Sequence, residues 1–185
     1  LTYSKPIHIE NRDSVKRILC SDKNIPYMYD PNENSSNLSF YPEESAVPKA
    51  TVIRAMSVDK DGNQSDVVTK VFFVGNDLKN TYKNASVISI VTDPDNLLSV
   101  DKGIYRYGNW EASGKESERP ADVTYIDEDG TIPFDTTMGI RIHGGYSRRW
   151  GQKSFNLYFR DELGGLKNLK NYQLIPGAVN SNGEE

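Results

Sequence analysis

A mainly β protein, α+β at most, is what this sequence predicts, and three observations predict it. Residues 139–159, GIRIHGGYSRRWGQKSFNLYF, hold two runs of period two: Ile140 and Ile142 alternate with Arg141 and His143, then Phe155, Leu157 and Phe159 alternate with Asn156, Tyr158 and Arg160. Two β-branched runs, TVIRAMSV at 51–58 and VVTKVFFV at 67–74, flank Asp61, Gly62 and Asn63, a second hairpin joined by residues that such turns require. The hydrophobic share is 36% of 185 residues, enough for one ordinary domain or two small ones.

Taken in order, residues 1–10 read as a strand, with Ile7 and Ile9 alternating against His8 and Glu10, and residues 15–19 as another short piece. Residues 20–49 are rich in Asn, Ser, Pro and acid without a clear period, and read as a long surface-wrapping loop or a disordered stretch, pinned in places by Tyr27, Tyr29, Phe40 and Tyr41. After the 51–74 hairpin, the polar GNDLKNTYKN at 75–84 reads as a linker. VISIVT at 87–92 is almost continuously apolar, as befits a strand buried on both faces. Asp93 then reads as an N-cap, with Pro94 in the first helical position of a short turn. A strand is expected at 103–107, a polar excursion anchored by Trp110 at 109–119, and strands at 121–126 and 131–134 around the turn Asp127-Glu128-Asp129-Gly130. Residues 161–172 read as a polar connection, and 172–175 as the start of a further strand.

The net charge of −4 and a pI near 5.3 argue against a nucleic-acid partner, and no apolar run approaches membrane-spanning length. Cys20 is the single cysteine, which excludes an intrachain disulfide and a cysteine-built zinc site. His8 and His143 are the only histidines, and neither sits in a nucleophile motif. The oxygen ligands Asp59, Asp61, Asn63 and Asp66 invite a calcium reading, but the residue types are already those of a plain hairpin turn. The chain opens on Leu1 without a leader, so it is expected to be a processed or cut-out piece.

The local exception to the acidic balance is the loop between the two strands of residues 139–159. Gly144, Gly145 and Gly151 allow close approach of backbone to a ligand, and Ser147, Arg148 and Arg149 add a hydroxyl and cations, a combination suited to an anion such as phosphate. The parity of Lys153 puts it on the side of Phe155, Leu157 and Phe159, at the mouth of the apolar face. Such a lysine either serves an anion, snorkels to water past the core edge, or pairs with a carboxylate.

GIRIHGGYSRRWGQKSFNLYFR resembles the segment that marks the spore-coat protein H (CotH) family of atypical, kinase-like proteins, where a G-I-R-I-x-G-x-x-S-R hairpin precedes K-S-x-x-x-Y-F. VISIVTDPDNLLSVDKGIYRYGNW and ERPADVTYIDEDG resemble the family's approach to that hairpin. TVIRAMSVDKDGNQSDVVTKVFFVG is similar to the last two strands of an immunoglobulin-like repeat found at the C-terminus of chitobiases and hexosaminidases, and YSKPIHIENRDS to its middle strand. The resemblances imply an incomplete immunoglobulin-like sandwich over 1–75, a linker at 76–84 and the N-terminal lobe of a CotH-like domain over 85–185. They imply ATP and Mg as cofactors of the complete parent, with Ser147, Arg148 and Lys153 on the phosphates, and no catalytic residue or metal ligand in this piece. The expected parent is extracytoplasmic, secreted or spore-associated, with a protein substrate or a cell-surface or polysaccharide partner, and these residues alone are expected to show little or no kinase activity. A reading from another class stays open beside it: a non-catalytic extracellular module that binds carbohydrate, cell wall or a protein.

Overall fold

A computed structural model of the chain describes residues 2–15, 48–75, 78–82, 85–106, 108–149, 153–163, 174, 177 and 179. The protein is mainly β, with one antiparallel sheet of two strands and one of four. In the first, β1 (Thr51–Ala55) pairs with β2 (Val68–Phe72), Ile53 opposite Lys70. In the second, β3 (Val87–Val91), β4 (Arg119–Ile126), β5 (Phe134–His143) and β6 (Ser154–Tyr158) follow one another in chain order. Helix is confined to short pieces, including α1 (Leu78–Thr81) and α2 (Pro94–Leu98).

One face of the large sheet forms the core. Ala121, Val123 and Tyr125 of β4 and Phe134, Met138, Ile140 and Ile142 of β5 are buried there beneath Ile104, with Ile90, Leu97, Tyr105, Phe155 and Leu157 packed around them. Each such side chain contributes roughly 1.5–3 kcal/mol by leaving water, so this face holds most of the stabilisation. The two aromatics at the turn end, Tyr125 and Phe134, stack with ring centres 5.3 Å apart. α2 is tied to β4 by the buried Asn96, whose amide donates to the Thr92 hydroxyl at 2.8 Å, while that hydroxyl donates to the Pro120 carbonyl at 2.6 Å.

The opposite face is polar, and on it the β1–β2 hairpin docks. The Asp122 carboxylate accepts from the hydroxyls of Thr69 and, at 2.7 Å, Thr137, with the Arg54 guanidinium 3.9 Å away. Lys70 pairs with Asp135, whose other oxygen accepts from Thr124 at 3.1 Å. The hairpin is therefore held to the sheet by ions and hydroxyls, and Val68, at 57% exposure, and Phe72 remain open to solvent.

Both expected hairpins, one read from alternation and one from β-branched runs around a turn, are present, as is the helical turn at Pro94, where the Asp93 side chain accepts from the Asp95 amide. Four expectations are corrected. Residues 2–10 form no strand: none of the described residues offers them a ladder partner, and Ile7 stays exposed. VISIVT does form a strand, but β3 ends the sheet among the described residues, and Ile88 is 44% exposed rather than buried on both faces. Residues 103–106 are turns, because Gly103, Ile104 and Tyr105 spend their amides on the carbonyls of Ser99, Asn96 and Leu97. Of the expected strand at 131–134 only Phe134 lies in a strand, as the first residue of β5, which runs through His143. Within the expected linker lies α1. The pieces at 16–19 and 20–47, and the strand at 172–175 apart from Leu174, fall outside the described residues.

At the 59–63 turn one Asp59 oxygen accepts from the Asp61 and Asn63 amides and the other from the Asn63 side chain at 2.8 Å. These bonds, led by the Asn63 side chain, hold the Asp59 carboxyl below its usual range. That is the turn chemistry which Asp and Asn supply without a metal.

Candidate functional site

The loop between β5 and β6 begins where His143 faces Ser154 at the end of the ladder. Gly144 there takes a φ of +109°, a conformation that leads the backbone into a 3₁₀ turn over Tyr146–Arg149. A β carbon at Gly144 would overlap the Ser147 hydroxyl, so the glycine leaves room for that side chain. Ser147 itself makes no hydrogen bond with the described residues.

Lys153 lies where its parity put it, on the apolar side, and is only 7% exposed. Its ammonium donates to the Arg148 carbonyl and sits 4.2 Å from the centre of the Trp110 ring and 5.4 Å from that of Tyr105. Burial pushes its pKa down to about 8. The ring faces and the carbonyl act the other way, since each favours the charged amine. Snorkelling to water does not describe this side chain.

Arg148 is committed to the loop itself. Its Nε donates to the Gly144 carbonyl, and its Nη1 donates to the carbonyls of Trp110 at 3.1 Å and Ala112 at 3.0 Å. Beside it Arg149 pairs with Glu111 at 3.1 Å and lies 5.4 Å from the centre of the Tyr146 ring. The turn over Tyr146–Arg149 is thus stitched to the 3₁₀ turn over Asn109–Glu111, and Ser147, Arg148 and Lys153 share one neighbourhood in which Arg148 and Lys153 both bond backbone carbonyls. Trp110 is the anchor its residue type suggests, at 1% exposure. Sequence reasoning did not connect it with Lys153, because no spacing rule links a loop tryptophan to a strand lysine that meet only in the folded chain.

A second cluster occupies the polar face behind the loop. The Glu118 carboxylate receives Arg160 through two parallel bonds of 2.9 and 2.8 Å, and this pairing, rather than exposure, holds its carboxyl below the usual range. Arg141 donates to the Tyr158 hydroxyl and lies 4.1 Å from the centre of its ring. Gly139 is needed beneath this cluster because a methyl there would overlap the Glu118 carboxylate. Both arginines are engaged, so the cluster has the character of a structural clasp.

The described residues contain no group of three or more His, Cys, Asp or Glu side chains placed to hold a metal ion, and no helix among them is long and apolar enough to cross a membrane. What the loop can offer chemically is a cation at the edge of an apolar face, bonded to the Arg148 carbonyl, and the hydroxyl of Ser147 in the same turn. Scans against protein-family models, curated proteins and solved structures find no match to this chain.

Proposed function

We propose that this chain supplies the nucleotide-side, β-rich lobe of an atypical kinase-like protein of the CotH kind, preceded by part of an immunoglobulin-like docking module, in a secreted, cell-surface or spore-associated parent. The observation that carries the reading is the Lys153 ammonium, drawn out of water at the loop end of β6 and bonded to the carbonyl of Arg148, the residue after Ser147. A phosphate group meeting that amine would pair with its charge, and Ser147 would donate an accompanying hydrogen bond. Arg148 would keep the loop in shape through its bond to the Gly144 carbonyl. These residues fit the phosphates of ATP. Among the described residues no group of three or more acidic or histidine side chains is placed to hold Mg, and the resemblance puts the carboxylates that would hold it in the rest of the parent. In this reading the residues bind and orient, and the transfer itself belongs to the rest of the parent.

Thermal melting and amide exchange with Mg-ATP test this directly. Millimolar nucleotide is expected to raise the melting temperature and protect residues 144–149, and Lys153→Met is expected to abolish both effects. The reading fails if saturating nucleotide changes neither while soluble cell-wall glycans raise the melting temperature, which is the signature of the non-catalytic binding module.

A further inference from the structure

We propose that residues 109–112 form a built-in cover over Lys153, clamped shut by Arg148, so that an anionic ligand reaches the amine only when this cover lifts. The inference rests on the reading of Lys153 as a phosphate-facing group and adds how access to it is controlled.

Trp110 is almost fully buried, yet it stands apart from the cluster of apolar side chains that forms the core. Its ring instead lies against the Lys153 ammonium. A tryptophan in that position shields the amine from the solvent a phosphate would arrive through. The segment carrying it is a single 3₁₀ turn, bounded by Gly108 at φ +84° and Gly114 at φ +98°. Few residues other than glycine adopt such angles readily, so both ends can absorb a change in backbone direction.

Two side chains of the loop hold the cover down: Arg148 takes the Trp110 and Ala112 carbonyls on one nitrogen, and Arg149 pairs with Glu111, while Lys153 bonds the Arg148 carbonyl and the Asn109 side chain ties the start of the segment to the Val100 carbonyl at 2.9 Å. The Arg149–Glu111 pair is largely exposed and contributes little by itself. The Arg148 bonds, directed at two carbonyls by one charged group, are the stronger restraint. Closure and the loop's conformation are therefore one event, and a ligand that reshapes the loop releases the segment.

The test follows Trp110 in a Trp150→Phe background, where it is the sole tryptophan, by acrylamide quenching and amide exchange of residues 109–112 in the full chain, with and without Mg-ATP. Arg148→Gln is expected to raise quenching and exchange in the absence of nucleotide and to tighten nucleotide binding by about three- to tenfold, because the closed population no longer competes. Glu111→Lys, at an exposed position, is expected to shift both in the same direction by less, and serves if Arg148→Gln does not fold. In the background chain, nucleotide itself should expose Trp110. If nucleotide binds while Trp110 stays shielded, or if Arg148→Gln weakens binding, the cover is refuted and the assignment of Lys153 survives. If neither the background chain nor either variant binds nucleotide, both ideas fall together.

Discussion

The two hairpins, β1–β2 and β5–β6, are marked in the chain by different signals, β-branched runs around a turn in the first and alternation in the second, and they turn different kinds of side chain inward. In β5–β6 the apolar positions Ile140 and Ile142 are buried beneath Ile104 and its neighbours, and the polar positions carry Arg141 and Tyr158 on the far face. In β1–β2 the residues that meet the large sheet are Thr69, Arg54 and Lys70, while Val68 and Phe72 look outward. Alternation decides that a segment is a strand; which set of side chains ends up inside depends on what the rest of the chain presents to it. One hairpin is consequently part of the apolar core, and the other is tied to the sheet by directed polar bonds beside a cavity lined by Val71, Phe73, Val87 and Ile126.

The sharpest break of that contrast is truncation of a buried position. Ile140→Ala should lower stability by about 2–5 kcal/mol in a denaturant melt, whereas Val68→Ala on the other hairpin should change it by no more than about 0.5 kcal/mol. Equal effects would mean that the outward face of β1–β2 is covered in solution. Asp122→Ala removes the acceptor shared by Thr69 and Thr137 and should cost about 1–3 kcal/mol, with exchange at residues 68–72 rising well before that of β5. Uniform exchange across both hairpins would show that the polar contacts do not set the docking.

Gly139→Ala is expected to cost about 1–3 kcal/mol because its methyl meets the Glu118 carboxylate, and clearly less when Glu118 is already alanine. Additive losses in that cycle would remove the steric explanation.

Lys153 gives the smallest effect and the most particular one. In the folded chain it releases its proton near pH 8, in the unfolded chain near its ordinary 10.5. Across that window the unfolded chain binds more protons, so stability should rise with pH, while the full cost of the buried charge is present below it. The gain should be on the order of 1–2 kcal/mol, less than the whole shift implies because the Trp110 and Tyr105 rings favour the ammonium. Lys153→Met should flatten this limb of the pH–stability curve and leave neutral-pH stability within about 1–2 kcal/mol of the parent. A limb that persists in the variant would assign it to another group.

Local signals in the chain were a good guide wherever neighbours in sequence are neighbours in space. The Asp61-Gly62-Asn63 and Asp127-to-Gly130 turns, the Asp93 cap and the facing of Lys153 all belong to this kind, since each depends on backbone angles or strand parity alone. Position within a sheet is not local. The apolar run at 87–91 looks the same in a central strand as in β3, and only the ladder shows that one flank is open. Residues 103–106 mislead for a related reason: their hydrogen bonds go back to α2 rather than across to a strand. The site was half legible. Its loop glycines and Lys153 could be picked out, but the partner that encloses the amine comes from a polar stretch whose tryptophan carries no periodic signal, and the bonds of Arg148 to carbonyls of Trp110 and Ala112 join segments far apart in sequence.

The absence of a side chain at Gly139 has a consequence for how β4 and β5 find their alignment. Gly139 stands opposite Pro120, directly under the carboxylate of Glu118. Were the two strands to slide past each other by one residue, Met138 or Ile140 would arrive under that carboxylate, and the apolar row of β5 would turn toward the polar side of the sheet. Glu118, fastened by Arg160, therefore acts as a peg that fits only one notch, and the four strands can be assembled in a single offset.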